Sequence, residues 1–445
     1  MVRKIQKSPN WKDYLNNNLF EKAFNSSELR NLLNKAQKEY LYWDNFKYQN
    51  IPKDFTAEEA WSFLKIERMS SYQETPIMSN EGKLFQFSLT NTLNQKLNYI
   101  DTHASSFLKT TNLSDVQKNK FIITGLTEEA IATSQIEGAN TTRKVAKEML
   151  ASQRQPKNKD EQMILNSYQM MKKLTEWKNL DLSKEMLLEI QTIVTEKTLE
   201  DIKDQGRFRN DDDNIVVKDP ITEEVVHTPP TKEKMQAELI KLIEFTNKPK
   251  EEDDGEFINP VIKASIIHFW IAYLHPFVDG NGRTARAVFY WYLLKHDYWL
   301  VEYLTISRAI VNSRKKYDNA FIYSENELDL TYFILYIAKS FKTAITKFID
   351  YFDEKRKESE EFKKVAHKLE KYNPRQIELL KYFINNKNYF PTDVSIHKAK
   401  HGISRQTASN DLISLVKKGL LVQTAKKRKN IFTPTIEAIA QLFKV

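Results

Sequence analysis

The chain of 445 residues contains no cysteine, which excludes disulfide bonds, thiolate catalysis and cysteine-based zinc sites. Glycine is also scarce, with nine residues in all, and neither a dinucleotide fingerprint nor a Walker loop is present. No uncharged apolar stretch approaches the roughly 18 residues of a membrane span, and residues 1–7 lack the apolar core of a signal peptide. We therefore expect a cytoplasmic protein with no membrane partner.

What the sequence does contain is a dense group of charged and titratable residues at 275–286, which read His-Pro-Phe-Val-Asp-Gly-Asn-Gly-Arg-Thr-Ala-Arg. Asn259 and Pro260 predict the start of a preceding helix, since asparagine caps a helix and proline suits its first position. That helix is apolar on nearly every face and should end at His275, because proline disfavours helical geometry in the residue before it. The sequence thus predicts an imidazole on a buried, rigid support.

The turn that follows has the composition of an anion site. Gly280, Asn281 and Gly282 can form a concave nest of backbone N–H groups at the start of the next helix. Arg283 and Arg286 lie on one face of that helix's first turn, where cations are unfavourable by roughly 0.3–1 kcal/mol each unless an anion is bound. Two arginines beside such a nest indicate a ligand with more than one phosphate.

Asp279 and His275 supply the remaining chemistry of this segment. A carboxylate beside the nest can hold a Mg²⁺ ion that bridges phosphate oxygens. An imidazole, with an ordinary pKa of about 6.5, can take a proton from an attacking hydroxyl. We assign no such role to His268 and His296, because an isolated histidine is more often a structural or solvated residue.

Residues 275–286 resemble the signature of the Fic family of nucleotidyltransferases, His-Pro-Phe-x-(Asp/Glu)-Gly-Asn-Gly-Arg-x-x-Arg, at every fixed position. The resemblance implies a mainly α-helical fold with a short β-hairpin flap, and transfer of AMP from ATP to a Ser, Thr or Tyr hydroxyl of a target protein. A kinase-like relative has lysine in place of the second glycine, so Gly282 favours AMP transfer. By position, the resemblance implies a role for each residue: His275 as the base, Asp279 as the Mg²⁺ ligand, Gly280, Asn281, Gly282 and Arg283 around the phosphates, and Arg286 at the γ-phosphate.

A second segment, residues 127–138, reads Thr-Glu-Glu-Ala-Ile-Ala-Thr-Ser-Gln-Ile-Glu-Gly and predicts a helix. Thr127 can cap its start, and Gly138 is placed as its stop. Glu137 then lies in the last turn, where a carboxylate is disfavoured, and Thr133 one turn earlier can hydrogen-bond it. Such a carboxylate indicates a cationic partner elsewhere in the chain, although an ordinary exposed glutamate is the alternative.

Beside residues 275–286, the pattern Thr133-x-x-x-Glu137-Gly138 is similar to the inhibitory motif of Fic proteins, in the N-terminal arrangement called class II. The resemblance implies a charge-assisted, bidentate pair between Glu137 and Arg286, worth roughly 1.5–3 kcal/mol. That pair would remove the partner of the γ-phosphate and hold the enzyme inactive. In some relatives the same glutamate helps to remove AMP from targets, and the sequence leaves this open.

Two apolar runs between these segments predict a short β-hairpin: Ile215-Val216-Val217, and Val225-Val226-His227. The resemblance implies that this hairpin is the flap that binds a target segment by strand pairing, which depends on backbone more than on side chains. A surface excursion without function is the alternative. Tyr317 falls where relatives carry a tyrosine near the adenine, but Asp318 stands in place of a second one, and a helix-core aromatic is equally compatible.

Length and composition predict two or three domains with ordinary hydrophobic cores. Within the first hundred residues, the pattern from Phe55 to Met69 predicts a helix, and Asn80-Glu81-Gly82 predicts the turn of a hairpin. The predicted divisions are an N-terminal extension at 1–100, a Fic domain at 101–355 that includes the inhibitory helix 127–138, a charged linker helix at 356–370, and a C-terminal domain at 371–445.

The basic charge of the chain is concentrated in residues 371–445, which carry 14 Lys and Arg against 4 Asp and Glu. The pattern predicts three helices and a basic hairpin tip: Asn373-Pro374 to Ile384, Thr392 to Lys400, a helix capped by Ser404, and residues 426–429. This order resembles a winged helix-turn-helix domain, which implies that the tip contacts DNA phosphates. Four side chains would then face the major groove: Arg405, Gln406, Ser409 and Asn410. Docking of proteins is the alternative.

Two hypotheses of different classes follow. The first is a self-inhibited protein adenylyltransferase that uses ATP and Mg²⁺ and modifies a protein target. The second is a DNA-binding transcriptional regulator whose Fic domain senses a nucleotide. The complete signature favours the first, because a sensor needs the anion nest and the arginines but not the base His275. The sequence leaves open whether another nucleotide replaces ATP and whether the protein forms a homodimer.

Overall fold

A computed structural model describes residues 5–15, 17–106, 115–219, 222–248, 257–385, 389–426 and 429–443. The described residues are mainly α-helical with a few small antiparallel sheets, which confirms the predicted fold class. Contacts divide the chain into two compact units, Met1–Phe348 and Ile349–Val445. The boundaries predicted near residues 100, 355 and 370 stay predictions.

The first unit is built from helices and two β-hairpins. Its helices are α1 (Asn17–Asn25), α2 (Ser27–Glu39), α3 (Trp43–Phe46), α4 (Ala57–Met69), α5 (Asn91–Ser106), α6 (Asp115–Ile136), α7 (Arg143–Ser152), α8 (Lys159–Glu176), α9 (Lys184–Thr195), α10 (Lys232–Asn247), α11 (Pro260–Leu274), α12 (Asn281–Lys295), α13 (Ile306–Val311) and α14 (Arg314–Glu327). Its hairpins pair β1 (Tyr72–Met78) with β2 (Leu84–Ser88), and β3 (Val217–Lys218) with β4 (Val225–His227).

Helix α15 (Thr331–Leu369) begins in the first unit and continues past its boundary. The linker helix predicted at 356–370 is therefore the second half of one long helix. Thr331 starts this helix beside a buried turn, since its backbone N–H donates to the Asp329 carboxylate at 2.9 Å. The charged composition of the second half identified a helix there, but it gave no signal for the buried first half.

Two elements predicted within the first hundred residues are present. Helix α4 begins at Ala57 because Thr56 and Glu59 form a capping box, in which each side chain accepts from the other's backbone N–H. The predicted turn at residues 80–82 joins β1 to β2, where Ser79 and Lys83 close the hairpin through a 2.8 Å backbone hydrogen bond.

The N-terminal elements pack against the region between α14 and α15 through a buried polar cluster. Asp329 accepts hydrogen bonds from the hydroxyls of Tyr40 (2.6 Å) and Tyr72 (2.9 Å). Arg68, which is fully buried, donates to the Tyr332 hydroxyl at 2.6 Å and lies 4.0 Å from the centre of the Tyr40 ring. These contacts join residues far apart in sequence, so the N-terminal part belongs to the same packed unit.

Helices α11 and α12 form the buried centre of the first unit, as predicted. Asn259 caps α11 through its side chain, and Pro260 occupies the first helical position. The helix ends after Leu274, because His275 adopts a left-handed backbone conformation with φ 45° immediately before a proline. Nearly every residue of both helices is buried, and α12 also packs on α8 and α9.

Helix α6 differs from the prediction at its start. The sequence placed that start at Thr127, but the helix already includes Asp115, so Thr127 lies in its interior. Glu128 and Glu129 suggested an acidic first turn; both are instead buried by tertiary contacts, Glu128 with Arg143 and Glu129 with the backbone of α13. The predicted stop is confirmed, since Gly138 has the left-handed φ of 95° that ends helices.

The second unit contains four further helices and a three-stranded antiparallel sheet of order β5-β7-β6. Its elements are α16 (Pro374–Asn385), β5 (Thr392–Asp393), α17 (Val394–His401), α18 (Arg405–Lys417), β6 (Leu421–Lys426), β7 (Lys429–Pro434) and α19 (Ile436–Phe443). The helix predicted from Thr392 begins two residues later, because Thr392 and Asp393 pair with β7 and Asp393 caps α17. Ser404 caps α18 as predicted, and its Oγ accepts from the Thr407 N–H at 3.1 Å.

Within the ranges that the structure describes, no helix is both long enough and apolar enough to cross a membrane.

Candidate functional site

His275 lies at the end of α11, on the wall of a cavity of about 220 Å³. Its Nδ1 is 3.3 Å from the carbonyl oxygen of Ala272, which can only accept a hydrogen bond, so the ring proton belongs on Nδ1. Nε2 then carries the lone pair. Burial, and next the nearby His227, lower the pKa of His275 to about 4, so the imidazole is neutral around pH 7.

The backbone of His275 is fixed by a buried arginine that the sequence analysis did not single out. Arg209 donates from Nε to the His275 carbonyl at 2.7 Å and from Nη2 to the Pro230 carbonyl at 2.5 Å. Its own N–H donates to the carbonyl of Pro276 at 2.9 Å. Arg209 precedes the hairpin in sequence, so one side chain connects the approach to β3, the end of β4 and the base.

The turn between α11 and α12 has the shape predicted for an anion nest. The Asn281 side chain accepts from the Phe277 N–H at 2.9 Å and donates to the Phe277 carbonyl at 2.8 Å, which closes the turn on itself. Gly280 adopts φ 86°, and a Cβ at this position would lie 2.7 Å from Thr195 Cγ2. Glycine is therefore required at 280 by both backbone conformation and space.

Glu137 occupies the space above the first turn of α12. A Cβ built on Gly282 would lie 2.9 Å from Glu137 Cδ, so the carboxylate rests directly against the glycine backbone. The N-terminus of a helix is a favourable position for a negative group, since unpaired N–H groups and the helix dipole meet there. The carboxylate thus lies where the sequence predicted that substrate phosphates bind.

The predicted ion pair between Glu137 and Arg286 is present, with Oε1 2.8 Å from Nη2. The predicted bidentate geometry is wrong, because Arg286 Nε donates to Thr133 Oγ1 at 2.6 Å instead. Thr133 was expected to bond Glu137; its hydroxyl and its carbonyl, the latter at 3.2 Å, both bond Arg286. Thr133 of α6 and Glu137, which directly follows that helix, therefore share the guanidinium of Arg286.

The electrostatics of Glu137 agree with this geometry. Burial acts to raise the pKa of Glu137, but the charges of Arg286, Arg283 and Arg314 outweigh it and the net shift is downward. The Glu137 side chain is 30% exposed, while that of Arg286 is 3% exposed. The carboxylate can leave toward solvent, whereas the arginine is held in the core.

Arg283 does not reach the cavity. Its Nη1 donates to the Val194 carbonyl at 2.5 Å and its Nη2 to Asp279 Oδ1 at 3.2 Å, and the side chain is 2% exposed. The structure therefore places Arg283 beneath the turn, where it supports Asp279 and the end of α9. Its predicted contact with phosphate stays a prediction.

Asp279 fits a Mg²⁺ site that is completed by substrate. Its side chain is 47% exposed, and Oδ1 is committed to Arg283 and to the Gly280 N–H, at 3.2 and 2.5 Å. In the described part of the chain, no group of three or more His, Asp or Glu residues could hold a metal on its own. Mg²⁺ commonly takes one or two carboxylates, substrate phosphates and water, so a single exposed carboxylate beside an anion nest is compatible with it.

The cavity extends from Glu137 to the β3–β4 hairpin and is lined by residues from α11, α12, α14 and that hairpin. The predicted strand Ile215-Val217 is shorter than expected: β3 begins at Val217, which pairs with His227, and residues 215 and 216 precede it. Seven charged or titratable lining residues had no chemical role assigned in the sequence analysis: Lys218, Asp219, His227, Tyr273, Arg314, Asp318 and Glu325. Only the Arg314–Asp318 pair had a signal, a four-residue helical spacing.

Tyr317 lines the cavity but belongs mainly to the core. Its side chain is buried, and its hydroxyl lies 2.9 Å from His268 Nε2. Burial also lowers the pKa of His268, which is consistent with the structural role expected for that histidine. The predicted contact of Tyr317 with adenine stays a prediction.

In the second unit, the side chains proposed to face DNA lie on one exposed surface of α18. Arg405, Gln406 and Asn410 are exposed and Ser409 is half-buried. Gln406 Nε2 donates to Asn410 Oδ1 at 3.0 Å. Lys427 and Arg428, in the basic tip, lie outside the described residues.

Comparison with protein families places the Fic/DOC family on residues 181–293, which include His275, the turn, Arg286 and the β3–β4 hairpin. Residues 181–293 form a Fic/DOC domain. The matched range begins after Glu137, so the family match does not include that residue.

Curated relatives of this Fic/DOC domain are protein adenylyltransferases. Fic-1 of Caenorhabditis elegans is 29% identical over 122 residues, which are 27% of this chain and 22% of the relative. Fic of Nematostella vectensis is 26% identical over 145 residues, 32% of this chain and 29% of the relative. Fic of Drosophila melanogaster is 30% identical over 112 residues, which are 25% of this chain and 20% of the relative. The chain thus matches less than a third of the length of each of these relatives.

Solved structures with Fic domains are also similar. A Fic family protein from Desulfovibrio desulfuricans G20 is 16% identical with a TM-score of 0.49, and the alignment covers 78% of this chain and 97% of that one. Fic-1 from C. elegans is 17% identical with a TM-score of 0.47, and the alignment covers 74% of this chain and 86% of that one. Both TM-scores are too low to add weight to the assignment.

Proposed function

We propose that this protein transfers AMP from ATP to a hydroxyl group of a target protein, and that Glu137 inhibits the transfer. The observation that carries the proposal is the arrangement around the first turn of α12. A neutral imidazole, His275, lies on the same cavity as an anion nest whose arginine, Arg286, is held by an internal carboxylate. The curated relatives, all named protein adenylyltransferases, support the same reaction class.

His275 acts as the general base in the proposed reaction. Nε2 removes the proton from the target hydroxyl, the hydroxyl oxygen forms a bond to the α-phosphorus, and the bond to the leaving pyrophosphate breaks. A base with a pKa of about 4 is weak, but the charge of a bound triphosphate acts to raise that pKa. Asp279, together with the phosphates, would hold Mg²⁺, which would supply positive charge to offset the charge of the leaving group.

The nest and Arg286 position the triphosphate. Backbone N–H groups at Asn281 and Gly282, in the turn that Gly280 shapes, meet the α- and β-phosphates, as helix N-termini commonly do. Arg286 binds the γ-phosphate once Glu137 has left. The edge of the β3–β4 hairpin, the flap, binds the target segment by strand addition near His275.

Glu137 inhibits transfer because it occupies the position of a substrate phosphate and neutralises the arginine that would bind one. The Glu137 carboxylate rests against Gly282 and neutralises Arg286, so a triphosphate must displace it or bind in another geometry. A displaced carboxylate beside the base can also orient water, which makes removal of AMP from a target the alternative use of Glu137.

The test is AMP incorporation from α-labelled ATP with Mg²⁺, scored on protein, with cell lysate as a source of targets. We compare wild type, Glu137→Gly and the double variant Glu137→Gly/His275→Ala. Glu148→Ala, which removes an exposed carboxylate of α7, is the matched control. We expect strong labelling in Glu137→Gly alone. Absence of labelling in every variant, with ATP, UTP or GTP as donor, would sink the proposal.

The competing hypothesis, a nucleotide sensor coupled to DNA binding, differs in what it requires of His275. A sensor needs the nest and Arg286 but no base, so His275→Ala would preserve every property of a sensor. Transfer that depends on His275 therefore decides for the enzyme. Nucleotide binding that is unaffected by His275→Ala, with no transfer in any variant, decides for the sensor.

The second unit favours duplex DNA as an additional partner. Residues 371–445 carry 14 basic against 4 acidic side chains, and the exposed surface of α18 presents Arg405 and Gln406. Binding through phosphate contacts must weaken steeply as salt increases, because counterions are released. The test compares wild type with Arg405→Ala across a salt series, and Lys368→Ala, before the basic segment, is the control. Binding that is insensitive to salt would exclude this function.

A further inference from the structure

His227 of the flap makes two contacts that together define its charge. Its Nδ1 lies 3.0 Å from both carboxylate oxygens of Glu325, and its Nε2 lies 2.7 Å from the carbonyl oxygen of Tyr273. Its side chain is 10% exposed, so water has little access to replace either contact.

A carbonyl oxygen and an ionised carboxylate are both acceptors. A neutral imidazole has only one N–H, so one of its two ring nitrogens would point a lone pair at an oxygen lone pair. Both contacts are satisfied when His227 carries a proton on each nitrogen. The ring is then an imidazolium, which forms a charge-assisted pair with Glu325.

The partners of His227 lie outside the hairpin, in two helices of the first unit. Tyr273 lies in the last turn of α11, two residues before His275, and Glu325 lies in α14. In the hairpin, His227 is the residue opposite Val217, which lines the cavity. A contact at His227 therefore sets the distance between the strand offered to a target and the base.

We propose that His227 is a positioning residue: as an imidazolium it ties the flap to α11 and α14 and so holds the target-binding strand beside His275. This inference deepens the proposed function, since the strand and the base act together only if transfer occurs. Nothing in the Fic signature specifies the tie, because its two side chains are 98 positions apart in sequence.

The groups around His227 favour the charged form of the ring. From α14 it meets the Glu325 carboxylate, and from α11 the Tyr273 carbonyl and the neutral His275. The β1–β2 hairpin contributes the Asn80 N–H, which donates to the Tyr273 hydroxyl at 2.9 Å. The hairpin itself offers Lys218 and Asp219, which also line the cavity.

The sign of the pH dependence follows from the proton that the tie requires. The tie is complete when His227 carries a proton on each ring nitrogen, a form that acid pH favours for any imidazole. It weakens as pH rises, because one contact loses its hydrogen. The flap should therefore loosen toward alkaline pH.

The first measurement is the protonation state of His227 in the full-length chain. Histidine labelled with ¹⁵N reports each ring nitrogen separately by NMR, and the His227 signals are identified by their loss in His227→Gln. Spectra are recorded from about pH 5 to about pH 8, and we expect both nitrogens to be protonated at the acid end. A single protonated nitrogen throughout this range would overturn the proposal.

The second measurement is hydrogen exchange of the flap amides across the same pH range, corrected for the intrinsic rate. Loss of a charge-assisted bond should raise exchange in His227→Gln by about tenfold at the acid end. Wild-type protection should fall toward the variant's as pH rises, whereas a merely structural role would shift protection equally at every pH. His103→Gln, on α5, is the control, since His103 contacts Tyr99 of its own helix, through the carbonyl at 2.7 Å and through ring stacking. Equal, pH-independent exchange in wild type and His227→Gln would overturn the tie.

A third measurement separates this inference from the proposed function. ATP affinity should be the same in Glu137→Gly and Glu137→Gly/His227→Gln, while AMP transfer to protein should fall about tenfold in the double variant. Unchanged transfer, with loosened flap amides, would overturn the positioning role and leave the transferase intact. If no variant transfers AMP, the proposed function fails, while the NMR and exchange results still decide the tie.

Discussion

Two ion pairs lie at opposite ends of the cavity. Each joins a cationic side chain to a carboxylate, but the two cations differ in chemistry. At one end a buried arginine, Arg286, meets the partly exposed Glu137 at 2.8 Å. At the other end a nearly buried histidine, His227, meets the partly exposed Glu325 at 3.0 Å. In both pairs the cation is fixed in the core and the carboxylate is nearer to solvent. An arginine side chain keeps its positive charge at every accessible pH, whereas a histidine side chain can lose its charge by releasing a proton.

This difference separates two kinds of control over one site. The pair at Arg286 can be released only by a competing anion or by movement of the end of α6, so it responds to nucleotide or to a partner. The pair at His227 can be released by loss of a proton. In the proposed mechanism, the first pair decides whether a triphosphate is bound productively, and the second decides how firmly a target strand is held.

The largest effect is expected at the base between the two pairs. In a Glu137→Gly background, His275→Ala should lower AMP transfer by about 10²- to 10⁴-fold, the range that general bases contribute. ATP affinity, measured by calorimetry, should stay within a few-fold, because no phosphate contact is assigned to the imidazole. A parallel loss of ATP binding would mean that His275 supports the nest rather than the chemistry.

Release of the inhibitory pair comes next. Glu137→Gly should raise transfer by about 10- to 100-fold, because ATP then no longer competes with a charge-assisted hydrogen bond of roughly 1.5–3 kcal/mol for Arg286. Glu137→Gln should raise it less, because the amide still occupies the space above Gly282 but no longer carries charge. Equal gains in the two variants would show that charge alone inhibits; no gain in either would show that the pair does not control transfer.

The two pairs also differ in how far the sequence predicted them. Residues 275–286 and 133–138 are short strings in which residue type and spacing are tightly constrained, so the pairing of Glu137 with Arg286 could be predicted before its geometry was known. The division of the guanidinium between Thr133 and Glu137 could not, because it depends on how α6 packs on α12. His227 and Glu325 are brought together only by the fold, and neither has a local pattern.

The same contrast holds for the elements of the fold. Helix α11 was predicted at both ends, because Asn259 with Pro260 and the proline after His275 act locally. The start of α6 was missed, since Thr127 and the acids after it mimic a cap while tertiary contacts bury Glu128 and Glu129. Arg283 was assigned to phosphate by position, yet it donates into the protein at Val194. Local sequence patterns predicted both ends of α11 but not the start of α6, and tertiary packing decides where long side chains point.

The pH profile of transfer tests the electrostatics between the pairs. Burial lowers the pKa of His275 to about 4, so in the free enzyme the base is available at any pH well above 4. Removal of Glu137 acts to lower it further, because that carboxylate favours the charged ring. The kcat/KM for ATP in Glu137→Gly, which reports the free enzyme, should therefore not fall between neutral pH and about pH 5. An acid limb centred near pH 6.5, the ordinary value for histidine, would contradict the burial of the base.

The smallest effect is expected at Thr133, and it measures how the inhibitory pair is built. Thr133→Val keeps the shape of the side chain but removes the oxygen that accepts from Arg286 Nε at 2.6 Å. The guanidinium should then hold Glu137 less firmly, and basal transfer should rise by a few-fold, as for one hydrogen bond of about 1 kcal/mol. In the Glu137→Gly background the same substitution should not raise transfer further, because no inhibitory contact is left to weaken. A double-mutant cycle gives the coupling directly. Equal gains in both backgrounds would mean that Thr133 acts on Arg286 independently of Glu137.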